Sequence, residues 1–476
     1  MGGRINNEKL LLSTENNDRR NYSKKRKCSL QFPAVISACL IRLGLGAANY
    51  WTSPAVPYLK SSNSKFTITS DQSSWIVSLL TIGGIIGYLL YPIFINRIGR
   101  KYTMLLFAIP QVFSWLTIYY ASNVYHLYIA RILAGIGYNG AYVVEIIYVG
   151  EIAEKNIRGF LVVIGKIAYV LGSLIVAILG AMVTYDTMNL TLLLISLTFF
   201  CTYFLMPESP YYYIKINDEG KAFQSLAKLR KTQNSKFLEL EIENIKKGMM
   251  KNDISRRNII VKLFRINANR KALIISSLAV LSVSFSGSFA VAAYMQTIVS
   301  YIDNPLKPEQ ITALIMLIVL ITSIVISPIP DWLGRRILIL CYGILVALSS
   351  FTLGGFFFYK YYFNENLSSI YCVPLVALLI YIVGSNSALF SISHILMSEL
   401  FSMEVKSTAT SLINVTRAIL DFFIKLGFLR FVSVFEIYGV FWIFGMTTFI
   451  VTLTNYIIMP ETKGKTLEEI QNLLDL

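Results

Sequence analysis

Apolar runs of hydrocarbon length recur from residue 30 to residue 459, divided by short polar stretches. A bilayer-spanning helix needs about 20 mostly apolar residues, because each rises about 1.5 Å through a core about 30 Å thick. The runs lack the apolar–polar alternation of membrane-barrel strands. Helices are the other structure that closes its backbone hydrogen bonds within hydrocarbon. The pattern predicts an all-α membrane protein with twelve spans, over 30–57, 73–95, 102–122, 125–149, 160–184, 189–206, 271–298, 310–330, 336–358, 370–398, 407–431 and 438–459. One long polar stretch, 207–270, separates spans six and seven, and apolar Phe223, Leu226, Leu229, Leu238 and Ile242 recur there with helical spacing. The expected organisation is a tail (1–29), a six-helix bundle (30–206), a linker of short amphipathic helices (207–270), a second bundle (271–459) and a tail (460–476). The first apolar run starts too deep and runs too long for a cleaved signal, so it reads as span one.

Composition agrees with this pattern. Of 476 residues, 55% are hydrophobic and 15% charged, where a soluble protein has about a quarter charged. The net charge of +16 reads as the positive-inside bias of a membrane protein, with no nucleic-acid partner. Most of the 43 Lys and Arg fall on the side that carries both tails and the linker, including the run Lys24-Lys25-Arg26-Lys27. That side is expected to be cytoplasmic, in a multi-pass plasma-membrane protein contacting the lipid bilayer. Two glycosylation sequons, at Asn189 and Asn366, then fall at outer loops. The five cysteines form no CxxC pair, and His126 and His394 lie far apart. There is no nucleophile–base pair, metal-ligand spacing or phosphate loop, so neither an enzyme nor a cofactor or metal site is expected.

The sequence repeats itself. Asn96-Arg97-Ile98-Gly99-Arg100-Lys101 after span two returns as Asp331-Trp332-Leu333-Gly334-Arg335-Arg336 after span eight. Glu151, with Arg158 after it, ends span four; Glu399, with Lys406 after it, ends span ten. Pro207-Glu208-Ser209 closes span six and Pro460-Glu461-Thr462 closes span twelve. The separation between copies drifts slowly, as changes in loop length would cause. Such parallel repeats are related by an axis along the membrane normal, and a site between them opens to either side as one half rocks. Both signs recur at matched places, so Arg97, Arg100, Arg158, Glu151 and Glu208 in one half, and Asp331, Arg335, Arg336, Lys406 and Glu399 in the other, are expected to form gating ion pairs that break when the protein faces inward.

These loops, the glycine-spaced Arg131-Ile-Leu-Ala-Gly-Ile-Gly, Tyr148-Val-Gly-Glu-Ile-Ala, and the closing Pro460-Glu-Thr-Lys-Gly-Lys-Thr-Leu-Glu-Glu-Ile-Gln resemble the sugar-porter branch of the major facilitator superfamily. Trp51-Thr52-Ser53-Pro54 is similar to its insect trehalose-transporter-like members. The resemblance covers nearly all of 30–473. It implies twelve helices in two pseudo-symmetric six-helix bundles, alternating access, and a central site for a sugar or similar small-molecule substrate, in a protein working as a monomer. It places substrate contacts at Lys166, Ser284, Phe289, Tyr294, Asn386, His394 and Asn414. Several depart from the family pattern: Lys166 stands for a glutamine, Val283 and Ser284 for tandem glutamines, Phe289 for an asparagine, Val319 for an amide, and Ser391-Ile392-Ser393-His394 for a Pro-x-Pro-Trp segment. Asn414 and Tyr294 are retained. A site built to pair hydroxyls discriminates through those pairs, so exchanging amides for Val and Phe removes recognition expected of a hexose site.

Ionisable residues within spans are costly and usually functional. Here they include Arg42, Arg131, Glu145, Lys166, Arg417, Asp421 and Lys425. Glu145 and Lys166 sit at similar depth on consecutive spans and are expected to pair. Arg417, Asp421 and Lys425 repeat every four residues, which stacks them on one face with positive charge in surplus; near His394, that face suits an anionic or zwitterionic solute. The leading expectation is a facilitative transporter of a sugar or related solute. The alternatives are a proton-coupled symporter and a non-transporting nutrient sensor of the same fold.

Overall fold

A computed structural model of the protein describes residues 30–154, 157–232, 235–253, 259–326, 333–363, 370–401, 405–463, 465, 469–470 and 473–474. The sequon at Asn366 and the charge at Asp331 lie outside them, as do the two tails for the most part. Among the described residues the regular structure is helical throughout, and nine helices are long and apolar enough to cross a membrane.

Two long helices are hairpins. Ser70–Tyr119 is interrupted at Gly99, with φ 89° and ψ −179°. Phe94 and Phe107 stand 6.2 Å apart across that break, whereas thirteen residues of straight helix would put them about 20 Å apart. Lys406–Ile458 is interrupted at Glu436, with φ 56° and ψ 169°. Phe428 and Phe444 face each other across it at 6.4 Å. With Ser70–Tyr119 counted as two limbs the nine give ten, and the two limbs of Lys406–Ile458 bring the described helices to the twelve expected.

Local chemistry sets several helix ends. Thr69 and Gln72 form a reciprocal capping box that starts span two. Asn123 accepts from the His126 N–H to start span four. Spans two and four approach so closely that a Cβ on Gly83 would lie 2.2 Å from the Ile132 carbonyl oxygen; small residues permit such contact in hydrocarbon, where tight packing drives helix association. Span seven is discontinuous: Asn267–Phe285 gives way at Gly287 (φ 72°) to Ser288–Ala293 and Met295–Ser300. Span ten carries a π-helical stretch, Val383–Leu389, between Cys372–Ile382 and Phe390–Glu399.

The halves meet along spans two and eleven and along spans five and eight. Their apolar packing differs at the two ends. At the end away from the 207–270 linker, one cluster runs through both halves, from Trp51, Ile76 and Leu192 to Met295, Phe357 and Phe441. At the linker end the packing splits. One cluster, around Ile41, Met104 and Tyr148, belongs to the first half; another, around Ile275, Leu396 and Phe401, belongs to the second. Outward-facing Leu89, Phe113, Leu194, Leu348 and Ile450 present an apolar surface suited to lipid.

The linker folds as Pro210–Lys215, Glu219–Arg230, Ser235–Asp253 and Ile259–Arg265. Leu226, Leu238 and Ile242 are buried in its small core, with Phe223 against it, while Leu229 inserts into the first half's cluster. Arg230 fastens it there, donating to the Ile152 carbonyl (2.8 Å), Gln31 (3.3 Å) and Glu241 (2.7 Å).

Candidate functional site

Each half is braced at its linker end by the same construction. In the first, Arg100 donates to both oxygens of Glu151 (2.8 and 2.5 Å), and Ser209 donates to the same carboxylate. Glu208 accepts from the backbone N–H groups of Arg100 (3.1 Å) and Lys101 (2.9 Å), the first after the Gly99 break. In the second, Arg335 donates to Glu399 (2.9 Å) and Thr462 to its other oxygen (2.7 Å). Glu461 accepts from the N–H groups of Arg335 (3.1 Å) and Arg336 (3.2 Å). Both carboxylates cap helix starts, where backbone N–H groups point outward and favour negative charge. Gly99 and Gly334 have φ 89° and 87°, a region nearly reserved for glycine, and a Cβ on either would collide with Glu208 or Glu461.

The sequence expects these charges to be gates that open. The described pairs join each half to itself, as the sequence grouped them, Arg100 with Glu151 and Arg335 with Glu399, so they do not have to break for the halves to part. The pairs are formed although the two apolar clusters at this end are separate. They are struts. Arg336 adds a bond to the Tyr456 carbonyl (3.0 Å), and the exposed Arg97 takes part through its carbonyl, which accepts from Tyr212 (2.9 Å). Lys406 opens span eleven and Arg158 opens span five; the Arg158 side chain lies outside the described residues.

Burial pushes the Glu208 carboxyl up to about 7, against its N–H donors and Arg100, which favour the charged form. Its counterpart Glu461 is held below its ordinary value: burial there is outweighed by N–H donors from Lys463, Arg335, Arg336 and Thr462.

Between the halves lies a cavity with about 1030 Å³ of atom-free space, part of it continuous with open solvent. Lys166, Phe289, Asn386, His394, Asn414, Arg417, Asp421 and Lys425 line it, from spans five, seven, ten and eleven. Asn386 comes from the π-helical stretch of span ten, a local rewinding that recurs at functional sites. Arg417 donates to Asp421 (2.8 Å) and Lys425 to Thr81 of the other half (3.2 Å). Phe289 lies 5.5 Å from the Arg417 guanidinium and 5.6 Å from the Lys425 ammonium. Phe390 continues this aromatic wall, 6.1 Å from Phe289 and 4.4 Å from His394.

Two expected contacts lie elsewhere. Ser284 is 1% exposed within span seven and does not line the cavity, because it turns into the helix packing beside Val283. Tyr294, also 1% exposed, stacks on Phe428 at 5.0 Å in the cluster that closes the far end. There Ser53 of span one accepts from the Gln296 N–H of span seven (3.1 Å).

Two further expectations are corrected. Glu145 accepts from Arg42 Nε at 2.7 Å, with Cys39 at 3.8 Å, where Lys166 was expected. Depth matches the two residues, but helix rotation turns Lys166 toward the cavity and Arg42 toward span four. Asn189 is wholly buried and accepts from Trp51 Nε1 at 2.8 Å. A packed amide of this kind leaves no room for a glycan.

Sequence reasoning missed the cavity's hydroxyl and amide wall: Asn49, Thr81, Tyr88, Asn139, Tyr142 and Tyr169. Polar residues punctuating apolar spans at matched depth were the available signal. Tyrosine and asparagine are common enough in spans that the signal is weak without the fold.

Comparison with known proteins follows the same lines. Over 446 residues the protein is 28% identical to the facilitated trehalose transporter Tret1 of Apis mellifera ligustica, covering 93% of this sequence and 88% of that one. It is 28% identical over 447 residues to trehalose transporter 1 of Drosophila melanogaster, where it spans 51% of that longer protein. Among solved structures it is similar to an inward-open conformation of the xylose transporter XylE from E. coli, with TM-score 0.74, 22% identity and coverage of 93% and 99%. The more distant POT-family transporter PepTSo aligns with TM-score 0.65 at 11% identity, covering 91% and 98%. The family model for sugar (and other) transporters matches residues 31–474. With its duplicated struts and central cavity, this protein belongs to the sugar (and other) transporter family and has the major facilitator superfamily fold.

Proposed function

We propose that the protein is a facilitative transporter of a sugar or related small polar solute, working by alternating access. The observation that carries this is the central cavity, lined from both halves, with continuous apolar packing at one end and divided packing at the other. Rocking two braced halves about such a cavity exposes it to each side in turn. The candidate contacts are Lys166, Phe289, Asn386, His394 and Asn414, with Tyr294 in the closing layer. The positive-inside bias supports a cytoplasmic linker and tails, with 30–206 and 271–459 as the moving bundles, in the plasma membrane. A cavity contained within one polypeptide supports a working monomer.

The test is uptake into proteoliposomes of purified full-length protein, with trehalose and glucose first, since relatives carry trehalose in their names and glucose is its constituent sugar. Saturable equilibration of at least one solute, unaffected by an imposed proton gradient, is expected. Properly folded protein that moves no member of a broad panel of sugars and sugar derivatives would remove this reading and leave a sensor of the same fold. Accumulation driven by the proton gradient would replace facilitation with symport.

A further inference from the structure

Charge is unevenly distributed around the cavity. Among its described lining residues the cations are Arg42, Lys166, Arg417 and Lys425, and the acid is Asp421. Arg42 is matched by Glu145 behind it at 2.7 Å. Asp421 lies one helical turn from both Arg417 and Lys425 and pairs with Arg417 at 2.8 Å. One carboxylate cannot neutralise two cations. Lys425 Nζ reaches a neutral partner, Thr81 Oγ1, at 3.2 Å. Arg417 keeps a buried Nε with no hydrogen-bond partner among the described residues. Phe289 stands beside both groups, and a ring face steadies a cation without discharging it. Excess charge at this depth is destabilising, and an incoming anion would offset it.

The rest of the wall suits a hydroxylated body. Asn386 and Asn414 offer amides, and Phe289 with Phe390 offers an apolar face for the C–H groups of a cyclic or open-form solute. We infer that the solute carried is a small polyhydroxylated monocarboxylate, a sugar acid, whose carboxylate is received by Arg417 and Lys425 of span eleven. The inference rests on the transporter reading and names its substrate class. A planar guanidinium matches a planar two-oxygen acid, and Asp421, which stays in place, disfavours a dianion such as a phosphate ester.

Full-length protein in proteoliposomes decides the matter with three probes: D-gluconate, D-glucose and D-glucose 6-phosphate. Gluconate is expected to be taken up and to raise the melting temperature, with glucose weaker by about tenfold or more, the contribution of one charged hydrogen bond. An inside-positive potassium diffusion potential is expected to increase gluconate uptake, as movement of a net charge requires. Lys425→Met is expected to weaken gluconate about tenfold, and Lys425→Arg to retain it. Glucose or glucose 6-phosphate performing as well as gluconate would overturn the inference. So would gluconate uptake indifferent to both the potential and Lys425→Met. If Lys425→Met does not fold, the solute comparison and the potential on the unaltered protein decide. Transport of glucose without gluconate sinks this inference alone, whereas absence of flux for the three probes and the wider panel sinks the transporter reading, so the two failures are distinguishable.

Discussion

Arg42 and Glu145 illustrate how a single buried charge constrains its neighbours. Both are nearly inaccessible, at 7% and 1% exposure, and each has the other as its oppositely charged partner at 2.7 Å. Removing one leaves the other uncompensated. Arg42→Met is expected to destabilise the protein by about 3 kcal/mol or more, whereas Arg42→Met with Glu145→Leu recovers most of the loss; thermal unfolding in detergent, run as a double-mutant cycle, measures it. This pair also marks where sequence reading ends. That Glu145 needs a cation at its depth was legible. Which cation was not, because Arg42 and Lys166 differ in the direction their helices turn them, and rotation about a helix axis is fixed by packing. The Asn189 sequon fails for the same reason: spacing from a loop does not reveal that Trp51 holds the amide.

Helix breaks and caps carry the duplication most plainly. Gly99, Gly334 and Glu436 share backbone angles almost confined to glycine, which cost another residue about 1–3 kcal/mol. Glu436→Gly is expected to stabilise the fold by about 1 kcal/mol, and Gly99→Ala to destabilise it by more because its Cβ would also strike Glu208; melting temperatures of the two variants check this. The caps differ in protonation. With its carboxyl raised to about 7, Glu208 holds a proton in the folded state that the unfolded protein releases near 4.5. Between those values the folded state binds more protons, so stability falls as pH rises and levels off above about 7. The melting temperature of the wild type is expected to fall relative to that of Glu208→Gln over that interval. A difference constant with pH would contradict the raised carboxyl. At this scale much was legible from sequence: the Gly-Arg pairs, the matched acids Glu151 with Glu399 and Glu208 with Glu461, and the linker helices all announced themselves. That the pairs stay formed while the apolar packing at their end is divided was not, since sequence does not show which contacts a change of conformation breaks.

In the whole molecule, alternating access requires the far-end closure to come apart. The Ser53–Gln296 contact joins spans one and seven there. Ser53→Cys with Gln296→Cys, in a background lacking the exposed Cys201, Cys341 and Cys372, is expected to cross-link on oxidation and stop transport, with reductant restoring it. Transport that persists in the fully cross-linked protein would show that this end need not open. The twelve-span plan was legible in apolar length and motif recurrence; the split of apolar packing between the two ends was not, since it depends on which faces meet in one conformation of a protein that must have at least two.

Arg230 ties the linker helices to the ends of spans one and four and, among its described partners, to nothing in the second bundle. The linker helices up to Asp253 therefore travel as a lever welded to one side of a hinge, while Leu263 of Ile259–Arg265 packs into the second half's cluster. A bulky group attached to the outer surface of those helices would bias the tilt of the first bundle, and so the rate of passage, without coming near the solute path.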